Sequence, residues 1–153
     1  MIFSKKCEYA IRALVDLAQT SSRSGAREIS RRQRIPYHFV AKILQELRVK
    51  GLLRSARGVG GGFALAKPAE QIQLIEVLEA LDCDRWFRRC VYGFPDCEDS
   101  KPCPLHLDWK LIRSQVEMFL KRQTIGNLAR PLGEGDKPPA GWLDHGDLPF
   151  PIR

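Results

Sequence analysis

Long apolar runs are missing from this chain of 153 residues; nothing in it approaches the roughly 20 consecutive apolar residues that a membrane-spanning helix requires. The N-terminus MIFSKKCEYA also lacks the apolar core and cleavage site of a signal peptide. These absences predict a soluble, cytosolic protein with no membrane partner. No C-x-x-C occurs, and no Cys/His pair lies outside one short stretch, so a thiol-dependent enzyme has neither nucleophile nor base. The glycines near residue 60 are not closed by the Lys-Ser or Lys-Thr of a phosphate-binding loop, which argues against nucleotide binding. Cysteine is present, but its count of five is odd. In a reducing cytosol that favours metal binding over a disulfide framework.

Charge is unevenly spread. Residues 1–67 carry 14 Lys or Arg against 4 Asp or Glu, a balance of +10, while residues 68–153 carry 11 against 14, a balance of −3. Concentrated positive charge gains free energy on a polyphosphate by releasing condensed counterions, so the N-terminal half is the expected nucleic-acid face. A solvated cationic surface is what charge alone equally allows.

The basic half has the periodicity of a small helical module. Ser4 is placed to cap a helix to about Thr20, with Tyr9, Ala10, Ala13, Leu14, Leu17 and Ala18 at helical spacing. A short helix over Ala26 to Gln33 and a third from Pro36 to Lys50, stopped by Gly51, are joined by a tight turn, the pattern of a helix-turn-helix. LLRSARGVGGGFALAKP then predicts a hairpin whose tip, Arg57, Gly58, Gly60, Gly61 and Gly62, allows close approach to a sugar-phosphate backbone. A helix follows from Leu74 to Leu81. From Pro104 a long helix spaces Leu105, Trp109, Ile112, Val116 and Phe119 by 4, 3, 4 and 3 residues, a helix-pairing seam that points to a partner subunit. Thr124 should cap a last short helix ending near Ala129. The Pro- and Gly-rich remainder should lack regular structure.

Between these helices Cys90, Cys97, Cys103 and His106 read C-x6-C-x5-C-x2-H. Thiolate and imidazole are soft and borderline donors suited to zinc or an iron–sulfur cluster, and Gly93, Pro95, Pro102 and Pro104 favour a loop around an ion. His106 shares a helix face with Cys103 if the helix begins early. Cys7 and Cys83 fit no ligand pattern and are expected to be structural thiols. His38 and His145 are expected to be surface and tail residues.

The start SKKCEYAIRAL, the wing RGVGGGFAL and the C-x6-C-x5-C loop, in this order, resemble the bacterial winged-helix iron–sulfur regulators typified by IscR and NsrR. The resemblance covers about residues 1–129. It implies a mainly α fold with a small β-hairpin wing: a winged helix-turn-helix DNA-binding domain over 1–81, a cluster-binding loop over 82–103, a dimerisation helix and short C-terminal helix over 104–130, and a tail over 131–153. It further implies a homodimer on double-stranded DNA with a partly palindromic operator, in which Trp109, Ile112, Val116 and Phe119 line the dimer seam. Pro36, His38, Phe39 and Lys42 would face DNA, with Arg57 and Gly60 of the wing at the minor groove. Ala41 stands where the family's cluster regulator has an acidic residue, which leaves base assignments open. Cys90, Cys97 and Cys103 match the family's thiolate ligands. The fourth ligand is either His106, with a [2Fe-2S] centre favoured, or Glu8 from the partner subunit, with a [4Fe-4S] centre. The first cysteine gap is one residue longer than in the cluster regulator. The resulting expectation is a cytoplasmic transcription regulator, a repressor that senses redox state, iron–sulfur status or nitric oxide. The alternative is a DNA-binding protein with a structural Cys3His zinc site and no sensing role.

Overall fold

A computed structural model describes residues 3–130; the tail residues His145, Trp142 and Phe150 lie outside the described residues. Helix α1 (Lys5–Thr20) begins where the Ser4 hydroxyl accepts the Cys7 backbone N–H at 3.3 Å. Cys7, Ala10, Leu14 and Leu17 recur at 3-4-3 spacing and are all buried, so one face of α1 forms the centre of the core. Helices α2 (Ala26–Gln33) and α3 (Tyr37–Val49) pack against that face through Ile29, Val40, Ile43, Leu44 and Leu47.

Three local details decide how α2 and α3 are held. Asp16 of α1 is buried and accepts two-pronged hydrogen bonds from Arg32 as well as one from Gln33 at 3.0 Å, while Arg32 also reaches Ser24. This charge-assisted network fixes the roll of α2 on α1. Pro36 lies just before α3 rather than in its first turn: its φ of −55° suits a helix but its ψ of 133° is extended, and its carbonyl accepts from Phe39 and Val40. Gly51, with φ +80°, ends α3 in a Schellman motif, Leu52 N–H donating to Leu47 and Gly51 N–H to Arg48.

Strands β1 (Leu53–Ala56) and β2 (Gly62–Leu65) form the antiparallel wing, in register Leu53 opposite Leu65 and Ala56 opposite Gly62. Ser24, from the α1–α2 connection, exchanges both backbone hydrogen bonds with Phe63 and so joins the wing to the helices. Gly62 makes this approach possible: its φ is +129°, and a Cβ there would stand 2.8 Å from the Ser24 carbonyl.

A 3-10 turn (Ala69–Gln71) leads to α4 (Leu74–Ala80), then to a single turn, α5 (Arg85–Arg88), that the sequence did not signal. Helix α6 (His106–Arg122) starts two residues later than Pro104, because Pro104 and Leu105 turn the chain so that His106 N–H meets the Cys103 carbonyl at 3.0 Å. After α6 the chain returns to the core. Leu74 N–H donates to Gln123 and Ile125 N–H to Ile72, and α7 (Ile125–Ala129), capped by the Thr124 hydroxyl, lies against α1. The architecture is mainly helical with one small hairpin, and no helix among the described residues is long and apolar enough to cross a membrane.

Candidate DNA interface and metal-binding loop

The first turn of α3 is exposed. Tyr37, His38, Phe39 and Lys42 all face outward although Phe39 and Tyr37 are large apolar residues, 47% and 49% exposed. They are ordered rather than loose: the Phe39 ring packs 4.4 Å from His38 and 6.0 Å from Tyr9 of α1, and the Arg27 guanidinium lies 5.2 Å over Tyr37. Aromatic surface pinned beside cations suits contact with sugar and base edges. At the wing, Arg57 is exposed on a tip where Gly58 and Gly60 have φ of +92° and +71°, and Gly61 N–H closes the turn on the Gly58 carbonyl.

Between α3 and the wing runs a cleft of about 410 Å³ lined by Gln45, Arg48, Ser55, Arg57 and Phe63. Gln45 and Arg48, hydrogen-bonded to each other at 2.9 Å, were missed by the sequence reading. The signal was present: His38, Lys42 and Gln45 are spaced 4 and 3 on one helical face, and only the position of the wing puts Gln45 and Arg48 in the wall of a cleft.

The cysteine loop folds back on α6. The Trp109 indole donates to the Arg89 carbonyl at 2.8 Å, and Lys110 pairs with Asp99 at 2.8 Å, so the loop is tied at its root and in its middle. Cys90, Cys103 and His106 are buried and Cys97 is half-buried. The four donors stand as two pairs. Cys90 and Cys103 are electrostatic neighbours that shift each other's thiols, and the Cys97 sulfur lies 3.6 Å from Nδ1 of His106. Among the described residues no three His, Cys, Asp or Glu side chains stand together at metal-holding distance, so the pairs adjoin without closing a cage.

Electrostatics shift the loop's thiols in opposite directions. Burial opposes ionisation of Cys90, but backbone N–H groups of Phe94, Tyr92 and Gly93 and the Cys103 thiol all favour its thiolate, and the net effect lowers its pKa. Gly93 supplies one of these donors at φ +100°. Cys103 moves the other way: burial and then the neighbouring Cys90 raise it, against a donated N–H from Leu105. Asp99 is held down to about 2, first by Lys110 and then by His106, so it is ionised at neutral pH. Its carboxylate accepts from Nε2 of His106 at 2.7 Å, so Nε2 carries a proton and Nδ1 is the ring nitrogen that faces Cys97. A carboxylate orienting an imidazole in this way is how metal-ligating histidines are commonly held. Three thiols and a correctly turned imidazole therefore fit a soft-metal or iron–sulfur centre in chemistry. Glu8, the other possible fourth ligand, is in the first turn of α1 with Lys5 and Arg12 as its polar partners. Cys7 and Cys83 lie outside the Cys90–His106 stretch.

Residues 3–131 match the Rrf2 family, described as iron-dependent transcriptional regulators. The chain belongs to the Rrf2 family. It is 33% identical over 132 residues to the HTH-type transcriptional regulator IscR of Vibrio atlanticus, covering 85% of this chain and 76% of that protein. It is 35% identical over 131 residues to IscR of Cronobacter sakazakii, covering 84% and 80%. Among solved structures, IscR of T. potens superposes with a TM-score of 0.69 at 22% identity, covering 88% of this chain and 90% of that one. CymR, the global cysteine regulator of B. subtilis, superposes at 0.67 with 24% identity, covering 82% and 94%. This Rrf2 protein is thus a DNA-binding helix-turn-helix transcriptional regulator and not an enzyme. The same fold is shared by IscR and by a cysteine regulator, so the fold alone does not name the signal of this Rrf2 member.

Proposed function

We propose that this Rrf2 protein is an iron–sulfur-dependent repressor whose loop state sets its affinity for DNA. The observation that carries the proposal is the pair Cys97–His106, in which a buried imidazole is turned by Asp99 to offer Nδ1 beside the thiol. Cys90, Cys97, Cys103 and His106 would hold a [2Fe-2S] centre, which when bound supplies one-electron redox chemistry and a site open to small reactive ligands. The chain's own part is mechanical. The loop is anchored to α6 through Trp109 and Lys110, and α6 continues into α7 on α1, so ordering of the loop is transmitted to the helix that carries the DNA-binding half. For this to regulate, the loop states must differ in DNA affinity, and a tenfold difference needs only about 1.4 kcal/mol.

The exposed apolar side of α6 supports a homodimer. Leu111, Ile112, Met118 and Phe119 are exposed along one side of it, while Trp109 and Val116, the alternate members of the expected seam, pack on their own core. Pairing the exposed sides of two chains would give a twofold assembly suited to a partly palindromic operator, with α3 in the major groove and Arg57 at the minor groove.

Anaerobic purification followed by visible absorbance and iron, sulfide and zinc analysis tests this reading. Absorbance between about 320 and 600 nm with iron and sulfide is expected. The band should change on His106→Ala and persist on Glu8→Ala. A colourless protein with one zinc per chain that iron and sulfide do not reconstitute overturns it in favour of a structural Cys3His site. A chromophore lost on Glu8→Ala instead would assign the fourth ligand to the partner subunit.

A further inference from the structure

Two thiols outside the Cys90–His106 stretch meet where α1 begins and α4 has ended. Cys7, in the first turn of α1, is fully buried; Cys83, three residues beyond the end of α4, is half-buried. Each is held by backbone. The Cys83 N–H donates to Leu78 at 2.8 Å, its sulfur lies 3.6 Å from the Leu81 carbonyl, and Cys7 is fixed within the helix. The Ser4 hydroxyl touches both residues, 3.3 Å from the Cys7 nitrogen and 3.5 Å from the Cys83 sulfur. Through Ser4 the Cys83 sulfur is thus brought to the first turn of α1, and Cys83 is the neighbouring side chain that acts on the Cys7 thiol.

Neither residue has a part in the DNA interface or among the donors from Cys90 to His106. Burial first, and then the neighbouring Cys83, push the Cys7 thiol well above the ordinary range, so it stays protonated at neutral pH. Cys83 is the member that solvent reaches. A more accessible thiol beside a buried one is the arrangement in which the outer cysteine is oxidised first and the inner one resolves it.

We infer that Cys7 and Cys83 are an oxidisable dithiol, a second redox site distinct from the Cys90–His106 loop, which a hydroperoxide converts to a disulfide. The Cys83 sulfur, as thiolate, attacks the terminal peroxide oxygen; the O–O bond breaks, an alcohol or water leaves with a proton, and Cys83 becomes a sulfenic acid. The Cys7 sulfur then attacks the Cys83 sulfur, the S–O bond breaks, and the departing hydroxyl takes the Cys7 proton to leave as water. Two thiols give up two electrons and the peroxide takes them. The new bond would clamp the first turn of α1 to the segment that enters the cysteine loop, and so fix the root of the loop on the DNA-binding half.

The test treats the full-length chain with one equivalent of hydrogen peroxide, blocks remaining thiols under denaturing conditions, and maps tryptic peptides by mass spectrometry. The same treatment of a Cys90→Ser, Cys97→Ser, Cys103→Ser variant separates this site from any loop chemistry, so its outcome does not depend on the iron–sulfur reading. In both proteins a linked pair is expected, Cys7–Arg12 joined to a peptide ending at Arg85, that dithiothreitol releases. Cys83→Ser, at a half-buried position that preserves the fold, should leave Cys7 unmodified. Cys7→Ser should leave Cys83 as a sulfenic acid that dimedone traps. Free Cys7 and Cys83 after peroxide overturn the proposal, as does a Cys83 bonded to Cys90, Cys97, Cys103 or the Cys83 of a second chain.

Discussion

At the scale of single residues, this fold depends on positions where backbone meets backbone or where a polar group is buried. Gly62 is the sharpest case, because its positive φ and the Ser24 carbonyl leave no room for a side chain. Gly62→Ala should cost about 1–3 kcal/mol, measured by urea denaturation, and loosen the wing from the helices. Cys7 makes stability depend on alkaline pH. Its folded pKa lies above the ordinary value of 9.0, so above that pH the unfolded chain loses a proton that the folded chain keeps. The contribution is complete below pH 9 and fades as pH rises. Denaturation in reductant at pH 8 and pH 10 should therefore show the advantage of wild type over Cys7→Ala shrinking at the higher pH. An unchanged difference would mean that Cys7 ionises as readily in the folded chain as in the unfolded one.

At the scale of elements, α6 and α7 divide the work. The expected seam on α6 splits between an inner half, Trp109 and Val116, and an outer half, Ile112 at 54% and Phe119 at 45% exposure. Lysines at Ile112 and Phe119 should leave a folded monomer by sedimentation; a dimer that persists would move the interface elsewhere. Helix α7 is too short to be stable alone and owes its place to Ile125, which is fully buried and hydrogen-bonded through its backbone to Ile72. Ile125→Ala should lower stability by about 2–5 kcal/mol and detach the end of α6 from α1.

For the whole molecule, the positive charge of the first 67 residues and the cleft between α3 and the wing set the expected behaviour on DNA. Contacts with phosphates act through counterion release, whereas an arginine at a narrow minor groove reads shape. Lys42→Ala should weaken binding on all sequences alike and reduce the salt slope by about 1, while Arg57→Ala should lose preference for A·T-rich flanks, both read by anisotropy titrations across salt concentrations. Equal effects of the two substitutions on every sequence would remove the distinction between them.

The sequence by itself determined what is local. Ser4 and Thr124 announced helix starts because a hydroxyl one turn before an apolar stripe can accept the free N–H groups, and Gly51 and the wing glycines announced stops and turns because their φ is positive. The three thiols and the imidazole were equally legible, since soft donors clustered within seventeen residues, Cys90 to His106, need no fold to be noticed. Tertiary structure decided the rest. It grouped the donors as Cys90 with Cys103 and Cys97 with His106, brought in Asp99 to turn the imidazole, set Gln45 and Arg48 beside the wing, and placed Cys7 against Cys83. Each of these joins side chains whose distance depends on how whole helices pack, and helical periodicity tells which side of a helix is apolar without telling what will cover it.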